Sequence, residues 1–193
     1  MGQITGVADT ADGTSHAFRW TPSGGMQDLG TLGGATSSGY VISALGHVIG
    51  VADTADGSRH TFLWTATGGM RDLGEVVPSG LKIRGQVAGV ITGVDGVTSR
   101  PVRWTAAGGL QDLGTLGGAG SWTWGINDRG QVIGSSDTAD GWQRAFRKTP
   151  SSGMTDLGSL GGNSIATAIN IRGQVAGFSG TPMGESHAFL WTP

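Results

Sequence analysis

His16-Ala17-Phe18-Arg19-Trp20-Thr21-Pro22-Ser23-Gly24-Gly25-Met26-Gln27-Asp28-Leu29-Gly30 reads as two short strands joined by a Pro/Ser/Gly turn. The chain writes this stretch again and again. Strings close to His-Ala-Phe-x-Trp-Thr start at His16, His60, Arg100, Arg144 and His187. Asp-Leu-Gly recurs at Asp28, Asp72, Asp112 and Asp156, at intervals of 44, 40 and 44 residues. Gly-Gln/His-Val/Ile-x-Gly recurs at Gly2, Gly46, Gly85, Gly130 and Gly173. Registers that share a period of roughly 40–50 residues are the signature of propeller blades or helical arrays. No segment keeps a helical period, and Gly or Pro interrupts every stretch after about ten residues, which selects short strands.

Four strands emerge per unit. They are exemplified by Ser164–Asn170, Gly130–Ser135, Arg144–Thr149 and Gly25–Gly30. Small residues (Ser164, Ala166, Ala168) place the first of these innermost; the Gly-Gln-Val, His-Ala-Phe-Trp and Asp-Leu-Gly strands follow outward. In the His-Ala-Phe-x-Trp strand, period-two alternation puts His16, Phe18 and Trp20 on one face and Ala17 and Arg19 on the other. A small sheet with one apolar face needs a partner, and stacking units around an axis supplies one. The expectation is an all-β fold, a β-propeller of four-stranded blades with about five units. Residues 1–193 are read as a single repeat domain. Three strands begin the chain, three complete blades follow and three strands end it, for 18 strands. A four-bladed ring and part of a larger ring are the alternatives. Self-association through the incomplete terminal blades follows from the same count.

Composition narrows the function classes. Glycine is 38 of 193 residues, about three times the ordinary ~7% share, and it recurs at fixed repeat positions, so it is read as turns and not as disorder. The formal net charge is −2 with no Lys/Arg cluster, which argues against a nucleic-acid partner. The absence of cysteine excludes disulfides and thiolate chemistry. No apolar run approaches the ~20 residues of a membrane span, and no signal peptide precedes the first repeat.

Taken together, Gly-Gln-Val-x-Gly, His-Ala-Phe-x-Trp-Thr, Gly-Met-x-Asp-Leu-Gly-Thr-Leu-Gly-Gly and Ser-x-Ala-x-x-Ile-Asn resemble the HAF family of bacterial extracellular repeats, over nearly the whole chain. Arg100 and Arg144 depart from the naming histidine, and Glu75-Val76-Val77-Pro78 replaces Thr-Leu-Gly-Gly in the second unit. The resemblance implies an extracellular or cell-surface location and supplies no catalytic residues. The order of strands is also similar to that of kelch repeats, which bears on fold alone.

Residues repeated in every unit serve the scaffold. His16, His60 and His187 are read as hydrogen-bond partners of the Asp-Leu-Gly aspartates inside each blade, with those aspartates buried. His47, off this register, is assigned to the surface. The paired carboxylates Asp9/Asp12, Asp53/Asp56 and Asp137/Asp140 carry two readings: Asp-Gly hairpin turns, or weak Ca²⁺ sites completed by carbonyls and water. Asp95 stands alone at the matching place in the third unit. No other cofactor is indicated.

A private residue needs a private reason. Trp122 and Trp124 occupy positions held by Ser38 and Tyr40 in one unit and by Ile165 and Thr167 in another. Two apart on a strand, they are expected to share a face. Trp142 follows the Asp137–Gly141 turn of the same unit, and Lys148 stands where other units have Trp. Exposed indoles make stacking platforms. Trp122, Trp124, Trp142, Tyr40 and Arg144 are therefore the candidate ligand-binding residues, with a glycan or other polymer as partner. The leading expectation is an extracellular binding module. A propeller polysaccharide lyase or hydrolase, and a purely structural repeat, are the other two classes. No Gly-x-Ser-x-Gly elbow, His-Glu-x-x-His pair or phosphate loop is present.

Overall fold

The computed structural model describes residues 2–82, 84–93 and 95–193. Those residues form 18 β-strands in four sheets and no helix. The chain divides into two compact units, Met1–Val76 with Ile83–Gly85, and Val77–Lys82 with Gln86–Pro193.

The first unit holds two antiparallel sheets. One contains β1 (Ile4–Asp9), β2 (Ser15–Thr21) and β3 (Gly25–Asp28); the other contains β4 (Gly33–Ile42), β5 (Val48–Thr54), β6 (Arg59–Thr65) and β7 (Gly69–Asp72), each in sequence order. The second unit takes the chain from β8 (Val76–Leu81) through β9 (Val87–Thr92), β10 (Ser99–Thr105) and β11 (Gly109–Asp112). It continues with β12 (Gly117–Ile126), β13 (Val132–Thr138), β14 (Gln143–Lys148) and β15 (Met154–Asp156). It ends with the three-stranded sheet β16 (Ser164–Ile169), β17 (Val175–Gly180) and β18 (Ser186–Trp191). β8–β11 and β12–β15 count as one eight-stranded sheet because a single parallel pair, Ser99 with Gly120, joins β10 to β12. The order small-residue, Gly-Gln-Val, His-Ala-Phe-Trp, Asp-Leu-Gly expected from the sequence holds throughout, with β1–β3 forming the last three of these strands and β16–β18 the first three.

Both faces of β5, β9 and β13 are covered, not one, while β17 exposes Ala176 and Phe178 on one face. Ala17, on the face opposite Phe18, is fully buried, and with Leu29 it packs against Val48, Ala52, Phe62 and Trp64 of the neighbouring sheet. The second unit repeats the arrangement, with Ala88 and Leu113 against Ile126, Val132 and Phe146. Ile133 and Ala145 pack in turn with Ala166 and Val175. The core thus lies between successive sheets. Each buried Phe or Val at these junctions contributes about 1.5–3 kcal/mol.

Polar pins cross the same junctions. The Ser37 hydroxyl, fully buried, accepts the Ala17 N–H at 2.8 Å and donates to the Gly30 carbonyl. Ser164 repeats this with the Ala145 N–H at 2.9 Å and the Gly158 carbonyl. Where the small-residue strand has Val76 in place of Ser, the Thr61 hydroxyl reaches the Val76 carbonyl from the other side. Arg19 lies over the Trp64 ring at 5.6 Å and Arg147 over Trp191 at 5.0 Å; for Arg103 the following repeat has Lys148 at the Trp position, and the guanidinium donates to the Gly130 carbonyl at 3.0 Å.

The recurrent glycine of the second strand serves a close approach and is not a turn residue. A Cβ on Gly50, Gly134 or Gly177 would fall about 2 Å from the carbonyl oxygens of Ser38, Trp122 and Ile165. Those carbonyls are pushed inward because the first strand is bulged there, between Gly39 and Val41, Thr123 and Gly125, and Ala166 and Ala168.

Candidate functional site

The bulge decides where the private residues go. At each of these bulges one residue has no partner across the ladder: Tyr40 in β4, Trp124 in β12 and Thr167 in β16. An unpaired bulge residue is re-aimed away from the regular alternation. All three are exposed, Tyr40 to 58% and Trp124 to 53%. A residue at this place is released from packing, so it can vary without cost to the sheet.

Trp122 is half-buried and paired with Ser135. Its ring covers Gly120, where a Cβ would meet the indole at 2.4 Å. The equivalent positions hold Thr36 and Asn163, so the glycine makes room for this one tryptophan. Two indoles fit a strand of small residues without overpacking it, because one lies on a glycine and the other on a bulge.

Trp122 and Trp124 line a groove of about 400 Å³ with Thr123 between them and with Val77, Pro78, Ser79, Val90 and Thr92 of β8 and β9. That volume is at the small end of ligand clefts, roughly 300–1,000 Å³. The Ser79 and Thr123 hydroxyls bond one another at 2.6 Å. The Trp124 indole N–H points to the Ser135 hydroxyl over a long 3.4 Å. Trp124 therefore offers a ligand its ring face. The lining contains hydroxyls, aromatic faces and aliphatic carbons, and no carboxylate, imidazole, amine or guanidinium.

The other candidates lie elsewhere. Trp142 is 42% exposed and stacks with the Arg144 guanidinium at 5.3 Å; Arg144 also donates to the Gly162 carbonyl at 2.8 Å. Neither lines the groove. Tyr40 belongs to the first unit, at the equivalent bulge. The groove thus takes two of the five proposed binding residues, Trp122 and Trp124, while Trp142 and Arg144 form a separate pair and Tyr40 lies with neither.

The aspartate pairs are split. Asp9 accepts from the Ser15 hydroxyl at 2.7 Å, Asp53 from the Thr36 hydroxyl at 2.6 Å and Asp137 from the Gly120 N–H at 3.1 Å. Their partners Asp12, Asp56 and Asp140 instead cap their own turns through the hydroxyls of Thr10, Thr54 and Thr138. These donors pull the carboxyls of Asp12 and Asp56 down to about 2, Thr10 and Thr54 contributing most. The isolated Asp95 is lowered by the N–H groups of Thr98 and Val97. Among the described residues no group of three or more His, Asp or Glu comes together.

His16 and His60 behave as the repeat suggests, while His187 does not: its Nε2 lies 3.5 Å from Glu185 and not beside an Asp-Leu-Gly aspartate. His16 Nδ1 and His60 Nδ1 each lie 2.9 Å from Asp28 and Asp72. The Asp72 hydrogen bond raises the His60 pKa. These aspartates also accept the N–H two residues on, as in Gly74 N–H to Asp72 at 2.7 Å. They are not buried, however: the Asp112 side chain is 53% exposed, and Arg100 contacts it at 3.5 Å. His47 is half-buried, not on the surface, with its Nδ1 enclosed and unpartnered and its pKa lowered by burial and by Arg19.

Comparison with known proteins adds fold and nothing finer. No known family and no curated protein matches the chain. Among solved structures it is similar to TolB from Acinetobacter baumannii, with 12% identity and a TM-score of 0.54 over 99% of this chain. The chain spans 50% of that TolB chain. The fold is propeller-like. On that scaffold the groove lies among first and second strands of repeats, β8 and β9 with β12.

Sequence reasoning missed Val77, Pro78, Ser79 and Val90. A signal for them existed. The β8 repeat departs from the others at Val76-Val77-Pro78, and its aspartates are spaced at 40 residues, not 44. The repeat is shortened where a substitution was expected: Asp72 precedes Gly85 by 85−72=13 residues, against 46−28=18, 130−112=18 and 173−156=17 in the other units. The segment that elsewhere places Leu32 against Thr54 and Leu116 against Thr138 has no counterpart in β8. The two departures from the repeat, the shortened segment and the double tryptophan, meet at one groove.

Proposed function

We propose that this chain is an extracellular binding module that takes a neutral glycan, or a polymer with similar apolar faces, in the Trp122–Trp124 groove. One observation carries the reading: two indoles that no other repeat has converge on one open groove with no charged group in its lining. Aromatic faces stack on the C–H faces of pyranose rings, and hydroxyls supply the polar contacts. Acid–base cleavage needs positioned ionisable groups, and an acidic polysaccharide needs a cation. The lining offers neither, which supports binding over a lyase or hydrolase. The scaffold is read as five blade-like repeat units, three with four strands and two with three. The HAF-like strings and a surface rich in Ser, Thr and Gly support action outside the cell.

Binding of the intact chain to a panel of immobilised neutral and acidic glycans, with Ca²⁺ and with chelator, tests this. Retention on neutral glycans, a loss of at least about tenfold in Trp124→Ala, and a melting midpoint moved by only about 1–2 °C are expected, since an exposed residue carries little stability. A wild-type chain that binds no glycan, or a Trp124→Ala variant that binds as well as wild type, overturns the reading. Dependence on Ca²⁺ would return the split aspartates to consideration as metal ligands.

A further inference from the structure

We infer that the groove selects an N-acetylated hexosamine unit over an unsubstituted hexose; this rests on the glycan reading above. The argument is one of matching surfaces. The two sugars differ only at C2, hydroxyl against acetamide, and each either keeps its other hydroxyls in solvent or answers them with amide, carboxylate or guanidinium side chains, because buried polar groups without partners are costly. This groove has none of those side chains. Its hydroxyls are those of Ser79, Thr92 and Thr123, of which Ser79 and Thr123 bond one another at 2.6 Å. Each hydroxyl can donate once and accept twice, so a bonded pair keeps one hydrogen and spare lone pairs for a ligand. One donor and one acceptor are what an acetamido group needs for its C=O and N–H.

The rest of the lining fits the remainder of such a sugar. Val77, Pro78 and Val90 form an aliphatic wall beside the hydroxyl pair, suited to an acetamido methyl. The exposed Trp124 face, its N–H turned to Ser135, suits the C–H face of the pyranose ring. A free amine in place of the acetamide brings a cation into a lining without any carboxylate, and a uronate brings an anion into one without any cation. Exchanging the 2-hydroxyl for an acetamide adds a methyl for that wall and leaves one N–H and one C=O for the hydroxyl pair to meet.

Titrating the intact chain with chitotetraose, cellotetraose and the deacetylated glucosamine tetramer, followed by tryptophan fluorescence, tests the inference. Chitotetraose is expected to bind at least about tenfold more tightly than either other tetramer. Ser79→Ala is expected to erase most of that preference while its melting curve stays near wild type, and Trp124→Ala to abolish the fluorescence response. Equal or tighter binding of cellotetraose overturns the N-acetyl selectivity and leaves the glycan reading standing. So does a panel on which other neutral glycans bind and chitotetraose does not. Failure of all three tetramers together with a blank glycan panel overturns both.

Discussion

β4 and β12 are the same strand built twice. Both have 10 residues, both carry a bulge at the same place, and both lie against a glycine of the following strand, Gly50 or Gly134. β4 presents Ser38 and Tyr40 there, and β12 presents Trp122 and Trp124. The difference separates what the scaffold demands from what it permits. Both strands keep the small buried serine, Ser37 or Ser121, and both meet a glycine where any enlargement collides with backbone. The bulge residue is free, because no neighbour pairs with it. A binding surface can therefore be written into one repeat without disturbing the others.

The glycines break the comparison hardest. Gly134→Ala places a Cβ 1.8 Å from the Trp122 carbonyl oxygen and should cost about 3 kcal/mol in a denaturant titration, with Gly50→Ala alike. Gly6→Ala is the control. It occupies the same repeat position in the β1–β3 sheet, where the first strand is lacking, and meets only the Phe18 ring at 3.0 Å. It should cost under about 1 kcal/mol. Equal losses at Gly6 and Gly134 would show that glycine is needed for the second strand itself and not for the bulge.

The buried serines sharpen it next. Ser164→Ala removes the acceptor of the Ala145 N–H and should cost about 1–3 kcal/mol. Ser121 is its equivalent in β12 and equally buried, yet the residue matching Ala145 is Pro101, which has no N–H to offer. Ser121 instead makes a long 3.5 Å bond to the Ser135 carbonyl. Ser121→Ala should cost well under about 1 kcal/mol. Comparable losses would mean that these serines act by packing alone.

The smallest effect is on pH dependence. Asp72 raises the His60 pKa above its unfolded value, so the stabilisation is fully present below about pH 6.5 and is lost as pH rises through the folded value. Arg100 holds the same repeat position beside Asp112 and does not titrate in that range. His60→Arg should flatten the fall in melting temperature between about pH 6 and 8. A slope that survives the substitution would assign it to another group.

Much of this was legible in the chain. Shared registers gave the strand inventory and the order within each sheet, because the repeat aligns positions that no single unit could identify. The His–Asp pairs followed from their recurrence. The exposure of the aspartates did not, since recurrence reports a partner and not a depth. The site was half legible. Departure from the repeat singled out Trp122 and Trp124, but it gave Trp142, Tyr40 and Arg144 equal standing. Spacing along a chain does not say which private residues converge.

By itself the sequence determined that short strands recur with a fixed period, that glycine and small residues hold fixed places in it, and that one repeat carries indoles the others lack. Only the tertiary structure decided that the first strand is bulged, since period-two alternation assumes an unbroken ladder and one unpaired residue resets every face after it. The bulge sends Trp124 to the surface, Gly120 lets Trp122 lie flat, and β8 of the shortened repeat lines the groove beside them. Each depends on which strands lie next to one another, and that is set by packing between sheets, not by neighbours in the chain.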